Sequence, residues 1–139
     1  MLPANGSFIN AQVIRQPTHT YKFHFMNNRI IQYSDGIEAM QQFIYKTLQT
    51  DRYRHEIYDW NYGFEIDDLM GKPLSYAKAK LPRRIIDALI CDDRVLAVNN
   101  FSFPIPDDNV YSQKRNTVVI AFNVNTIYGS ISVSKAVFI

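Results

Sequence analysis

The chain has 139 residues, 47% of them hydrophobic and 20% charged, which is the usage of one ordinary globular domain and excludes a disordered chain. Its single cysteine, Cys91, cannot form an intrachain disulfide and leaves a zinc site short of thiolate ligands, so a reducing compartment suits it. The formal charge of +2 and the pI near 8.7 come from scattered Lys and Arg. The densest group, Lys78, Lys80, Arg83 and Arg84, is followed by Asp87, Asp92 and Asp93 and reads as a solvated helix face, not a nucleic-acid interface.

Met1 to Gln16 lacks the basic and apolar stretches of a secretion signal, and no apolar run reaches the roughly 18 residues of a membrane span. Residues 1–17 carry Pro3, Asn5, Gly6, Asn10 and Pro17 and read as an extended arm, with a single domain over 18–139. Tyr21, Phe23 and Phe25 then alternate with Lys22, His24 and Met26, which predicts a strand with one buried face. Asn27-Asn28 predicts a two-residue turn, since Asn tolerates positive φ, and Arg29 to Tyr33 completes a hairpin. Asp35 as N-cap, with Glu38 three residues on, opens a helix to about Gln49 in the manner of a capping box. Its stripe of Ile37, Met40, Phe43, Ile44, Thr47 and Leu48 has helical spacing and reads as a core face.

Residues 51–73 are irregular and aromatic, with Tyr53, His55, Tyr58, Trp60, Tyr62 and Phe64. A loop packed by its own aromatic rings is expected, with one short helix over about Glu65 to Met70. Ser75 reads as the cap of a helix that lasts to Cys91, which is then a core thiol. Pro82 in its middle predicts a kink or two helices meeting near Leu81. Asp92-Asp93 at the helix exit opposes the dipole and points to a separate task. Val95 to Phe103 reads as a strand and Phe103 to Ser112 as a Pro/Asp/Asn loop.

Thr117 to Thr126 is a strand with Val118, Ile120, Phe122 and Val124 on one face. Tyr128-Gly129-Ser130 turns the chain into a last strand. There Ile131, Val133, Lys135, Val137 and Ile139 alternate with Ser130, Ser132, Ser134, Ala136 and Phe138. At a sheet edge, such a strand offers unpaired backbone groups to another chain. The order predicts an α+β fold: an N-terminal β-hairpin and two or three helices packed on one face of a largely antiparallel sheet that ends in a C-terminal hairpin.

Few residues suggest chemistry. A glycosidase needs two carboxylates facing each other across a cleft. Glu38, Glu56, Glu65, Asp67, Asp68, Asp92 and Asp93 show no such context, and Glu38 is explained as a cap. His19, His24 and His55 lack metal-ligand spacing, and Gly36, Gly63, Gly71 and Gly129 are too dispersed for a phosphate-cradling loop. Tyr53-Arg54-His55 could stack on bases, but reads better as packed loop. The expectation is no enzyme, no cofactor, no metal, no nucleic acid and no membrane.

Three stretches stand out: Thr20-Tyr21-Lys22-Phe23 through Asp35-Gly36-Ile37-Glu38-Ala39, Ile57-Tyr58-Asp59-Trp60-Asn61-Tyr62-Gly63, and Asp67-Asp68-Leu69-Met70-Gly71-Lys72-Pro73. They carry a resemblance to the XkdS-type tail proteins of PBSX-like prophages, which are related to the "lysozyme-like" baseplate wedge family of contractile tails. Arg83-Arg84-Ile85 through Asp92-Asp93-Arg94-Val95 and the hairpin at Thr126-Ile127-Tyr128-Gly129 also fit, so that it covers residues 18–139. Trp60, Asn61, Tyr62 and Gly63 with Gly71, Lys72 and Pro73 form its most specific motif.

The resemblance implies a structural subunit of a contractile tail baseplate, made in the bacterial cytoplasm and built into the assembled phage-like tail. It implies contacts with other baseplate wedge proteins, with the tail sheath protein and with hub or tube proteins. It places a wedge-contact motif at Asp92, Asp93 and Arg94, with Asp93 where the wider family has proline. It also implies strand exchange with the sheath along Ser130, Ile131, Val133, Lys135, Val137 and Ile139. The historical label supplies the alternative, a peptidoglycan hydrolase of the tail using acids such as Glu56 or Glu65.

Overall fold

A computed structural model describes residues 18–105 and 116–139. The expected arm over 1–17 and residues 106–112 of the expected loop from Phe103 to Ser112 lie outside them. Strands β1 (Thr20–His24) and β2 (Arg29–Ser34) lead into helix α1 (Gly36–Gln49). A short 3₁₀ turn at Asp67–Leu69 precedes helix α2 (Leu74–Leu89), and β3 (Val95–Ser102), β4 (Thr117–Thr126) and β5 (Gly129–Phe138) complete the order. The class is α+β with two antiparallel sheets: β1–β2 alone, and a second sheet in the order β3-β4-β5.

The core lies between the two helices and one face of the larger sheet. Met40, Ile44 and Leu48 of α1 join Leu81, Ile85, Ala88 and Leu89 of α2 in one buried cluster with Val118, Ile120, Phe122 and Val124 of β4. This is the helical stripe and the alternating strand meeting as their periods dictate, each strand burying every second side chain. Ile131 and Val137 bring β5 into the same cluster. Phe101 of β3 packs its ring 5.6 Å from that of Phe122.

Several expectations change. The rings of Tyr21 and Phe23 are 63% and 40% exposed, so the alternation of β1 defines a face that no layer of the described residues covers. The hairpin turn is longer than two residues, because His24 pairs with Arg29 and leaves Phe25 to Asn28 as the loop. Asn28 does adopt positive φ, at 47°. Asp35 caps α1 by accepting from the Gly36 N–H, but the Glu38 carboxylate turns to the Lys22 ammonium at 3.1 Å instead of closing a capping box.

Helix α2 is one continuous element despite Pro82. Its N-cap is Pro73, whose carbonyl accepts from the Tyr76 and Ala77 N–H groups, so Ser75 already lies inside the helix. α2 ends at Leu89, two residues before Cys91, which therefore misses the buried stripe and is exposed. Partial burial and the charge of Asp92 push its thiol pKa up. The 51–73 segment is only partly packed by its own rings. Tyr58 stacks on Tyr62 at 4.5 Å, whereas Trp60 is 68% exposed.

Candidate functional site

Among the described residues four strands lie at sheet edges, and one of these is regular and open. The outer side of β1 is plugged: the Gln42 amide donates to the Tyr21 carbonyl at 2.7 Å and accepts from the Phe23 N–H at 2.9 Å. A helix side chain thus occupies the backbone groups that a third strand would use. β2 is interrupted by Gln32 at φ 68°, where the register slips between Tyr21 and Phe23 of its partner. β3 slips twice against β4 and carries Asn100 at φ 56°. Bulged edges of this kind resist further pairing.

β5 is different. Its ladder with β4 is unbroken from Thr126↔Gly129 to Thr117↔Phe138. One step beyond, the Ile139 N–H donates to the Asn116 carbonyl at 2.8 Å. Antiparallel ladders alternate bonded and non-bonded pairs. The odd-numbered residues of β5 therefore spend their backbone groups on β4. The N–H and C=O groups of Ser130, Ser132, Ser134 and Ala136 point outward. The odd-numbered side chains face the helices, with Ile131 and Val137 buried.

A groove of about 510 Å³ runs along this edge. Its far wall is the flank of α1, with Gln41, Ile44, Tyr45 and Leu48, and its near wall is β5 from Ile131 to Ala136 with Phe138. On the α1 side Ile44, Tyr45 and Leu48 supply its apolar surface, between Gln41 and Gln49. Lys135 stands in its β5 wall. Its ammonium donates to the Leu48 carbonyl at 2.7 Å, in the last turn of α1, and stands 5.6 Å from the centre of the Phe64 ring. Burial holds Lys135 below the ordinary lysine pKa, with the charge of Asp51 opposing.

A family model for the contractile injection system sheath initiator matches residues 14–129. The chain belongs to the sheath initiator family. It is also 33% identical over 133 residues to the phage-like element PBSX protein XkdS of Bacillus subtilis (strain 168), an alignment spanning 93% of this chain and 88% of that protein. As a member of this family the protein is a structural component of a contractile, phage-type tail. The family match ends at Gly129, the first residue of β5, so what the outer edge of the sheath initiator does rests on its own geometry.

The residues of the expected wedge-contact motif form a second feature. Arg94 clamps Asp92 from three sides: its Nε and Nη2 donate to the two carboxylate oxygens at 2.8 and 2.6 Å, and its backbone N–H donates at 2.9 Å. The Asp92 carbonyl accepts from the Val95 N–H at 3.1 Å, so residues 92–95 form a hydrogen-bonded turn. Asp93 stands second in that turn, the position that proline suits best and most residues tolerate. Burial alone would raise the Asp92 carboxyl, but the hydrogen bonds and charge of Arg94 outweigh it and hold its pKa below the usual carboxylate range. The guanidinium also lies 5.5 Å from the centre of the Phe43 ring and lines a small hollow with His19, Lys46 and Tyr62. The separate task of Asp92 is to fix this arginine.

The Trp-Asn-Tyr-Gly and Gly-Lys-Pro motif is mostly scaffold. Gly63 has φ 105°, and a Cβ there would sit 2.9 Å from the Thr50 carbonyl oxygen. This close approach lets the Phe64 N–H reach the same carbonyl at 2.8 Å, while Arg52 donates to the carbonyls of Asn61, Gly63 and Asp87. Gly71 has φ 73° and the Lys72 N–H donates to the Leu69 carbonyl, leading into the Pro73 cap of α2. Trp60 takes part in none of this and faces solvent.

Among the described residues, the candidate acids Glu56 and Glu65 do not line the groove beside β5. The groove beside β5 has no carboxylate in its walls. Glu65 and Asp68 both bind Arg84 of α2, and Glu56 is exposed. Among the described residues no group of three His, Cys, Asp or Glu side chains could hold a metal. None of the described helices is long and apolar enough to cross a membrane.

Sequence reasoning located β5 and Arg94 but missed Gln42, whose helical position gives no sign that it seals a strand. It also missed Thr18. That buried hydroxyl donates to the Asp35 carboxylate and lies 3.0 Å from the Tyr128 hydroxyl. It ties the start of α1 to the β4–β5 turn.

Proposed function

We propose that this sheath initiator sits in the baseplate wedge and starts the contractile sheath by taking up a strand of the tail sheath protein along β5. The observation that supports this reading is the outward row of backbone groups at Ser130, Ser132, Ser134 and Ala136, beside the groove between β5 and α1. Strand addition draws affinity from main-chain hydrogen bonds and register from alternate side chains. Ile131, Val133, Lys135, Val137 and Ile139 then set the register on the helix side.

The turn at Asp92, Asp93 and Arg94 and the uncovered rings of β1–β2 form the contacts to other wedge proteins, with hub or tube proteins as further neighbours. An exposed apolar patch on a structural subunit is the mark of a buried assembly surface. A hydrogen-bonded turn at 92–95 supplies the rigidity that proline would give. Hydrogen exchange with purified tail sheath protein tests the strand reading. The amides of Ser132, Ser134 and Ala136 gain protection if it is right. Exchange there unchanged, with sheath protein bound elsewhere, would refute it.

A further inference from the structure

The groove beside β5 carries one formal charge. Its walls are apolar or neutral except for Lys135. The ammonium has three N–H groups; one is used on the Leu48 carbonyl, and the charge of Asp51, outside the groove walls, does not outweigh its burial. A strand laid along β5 strips water from the outer side of this cation. An ammonium that loses water without gaining a counter-charge is strongly unfavourable.

The ladder also says where the counter-charge must sit. In the β4–β5 pairing the odd-numbered residues bond inward, so in an added antiparallel ladder they fall in the non-bonded pairs. Side chains directly opposite are closest in such pairs. We propose that β5 selects an extended segment of the pattern apolar–x–acid–x–apolar, with its Asp or Glu directly across from Lys135 and its apolar residues across from Val133 and Val137. This rests on the reading that β5 takes up a strand, and it names the chemistry of that strand. β5 itself reads GSISVSKAVF and contains no acid, so a second copy of the chain cannot satisfy Lys135 by pairing β5 with β5. An inward-facing charge on an edge strand is a known guard against self-association. Here it doubles as the selector.

The test uses the full chain and three short synthetic peptides of alternating threonine and valine, which carry Glu, Gln or Lys at the central groove-facing position. Binding is read by titration, and its place by exchange at the Ser134 amide. The Glu peptide binds about tenfold more tightly than the Lys peptide. Lys135→Glu reverses that order, and Lys135→Met, which keeps the stem, removes the preference. Equal affinity of all three peptides for the unaltered protein, with Ser134 protected by each, overturns acid selection and leaves strand addition standing. No protection by any peptide overturns both. The comparison among peptides on the unaltered chain decides the matter even if the charge-reversed variant does not fold.

Discussion

The two hairpins of this sheath initiator are built alike and used differently. Both are antiparallel, and in each one strand, β1 or β5, alternates apolar with polar residues. β4–β5 lies under two helices, which bury Val118, Ile120, Phe122 and Val124 and leave a regular outer edge. β1–β2 lies beside α1, with Tyr21, Phe23, Ile30 and Tyr33 exposed and its β1 edge sealed by Gln42. Two strands alone are marginal without a packed face. One hairpin therefore offers a regular backbone edge and buries one side-chain face, and the other exposes its side chains, with one backbone edge sealed and the other bulged. Alternation in a sequence announces a face. What covers that face is decided by the layers around it.

The largest effect separating the two hairpins should come from ring truncation. Phe122→Ala is expected to cost about 3–5 kcal/mol in chemical denaturation, because it opens a cavity between both helices and the sheet. Phe23→Ala should cost under about 1 kcal/mol, as a solvent-facing substitution. Equal losses would mean that the first hairpin is core in solution.

Next comes the clamp after α2. Arg94→Ala leaves a half-buried carboxylate without its counter-charge and two of its hydrogen bonds and should cost about 2 kcal/mol at neutral pH. The Asp92 pKa is lowered in the folded protein, so its pairing adds stability above the unfolded carboxylate pKa, about 3.9, and that contribution fades as pH falls through the folded value. The difference between wild type and Arg94→Ala should accordingly shrink on acidification. A difference constant from about pH 7 to about pH 2 would contradict the assignment.

A smaller change is expected at the seal. Gln42→Ala should lose about 1 kcal/mol and speed exchange of the Phe23 amide, while Ser134 exchange stays as it was. Loss of protection in both hairpins together would show that their edges are coupled. The smallest effect is predicted for Trp60→Ser, within about 0.5 kcal/mol, despite the place of Trp60 in the most specific sequence motif.

How much was legible in the sequence follows the same division. The period of β4 and the stripes of α1 and α2 mark the core, because burial on one face is what creates such periods. The fate of Tyr21 and Phe23 was not legible, since a strand that faces a partner chain shows the same alternation as one that faces its own core. Gln42 and Thr18 act through contacts distant in sequence, which no local pattern encodes. Pro82 does not break its helix: α2, held on its buried side by Leu81 and Ile85, continues through the missing hydrogen bond. The regular alternation of β5 and the acid–arginine pair after α2 were legible. The direction of each outward amide required the ladder.

That direction also sharpens the decisive experiment. Removing Lys135 to Ile139 would take away buried Val137 and the Ile139–Asn116 bond, and so would damage the core along with the edge. Ser134→Pro is cleaner. Its N–H points outward, so proline spares the β4–β5 ladder, as proline does on edge strands, while it removes a donor that an added strand needs. The prediction is a folded protein whose tails, viewed by electron microscopy, carry baseplates and tubes without sheath. Normally sheathed tails assembled from folded Ser134→Pro protein would contradict strand uptake at β5.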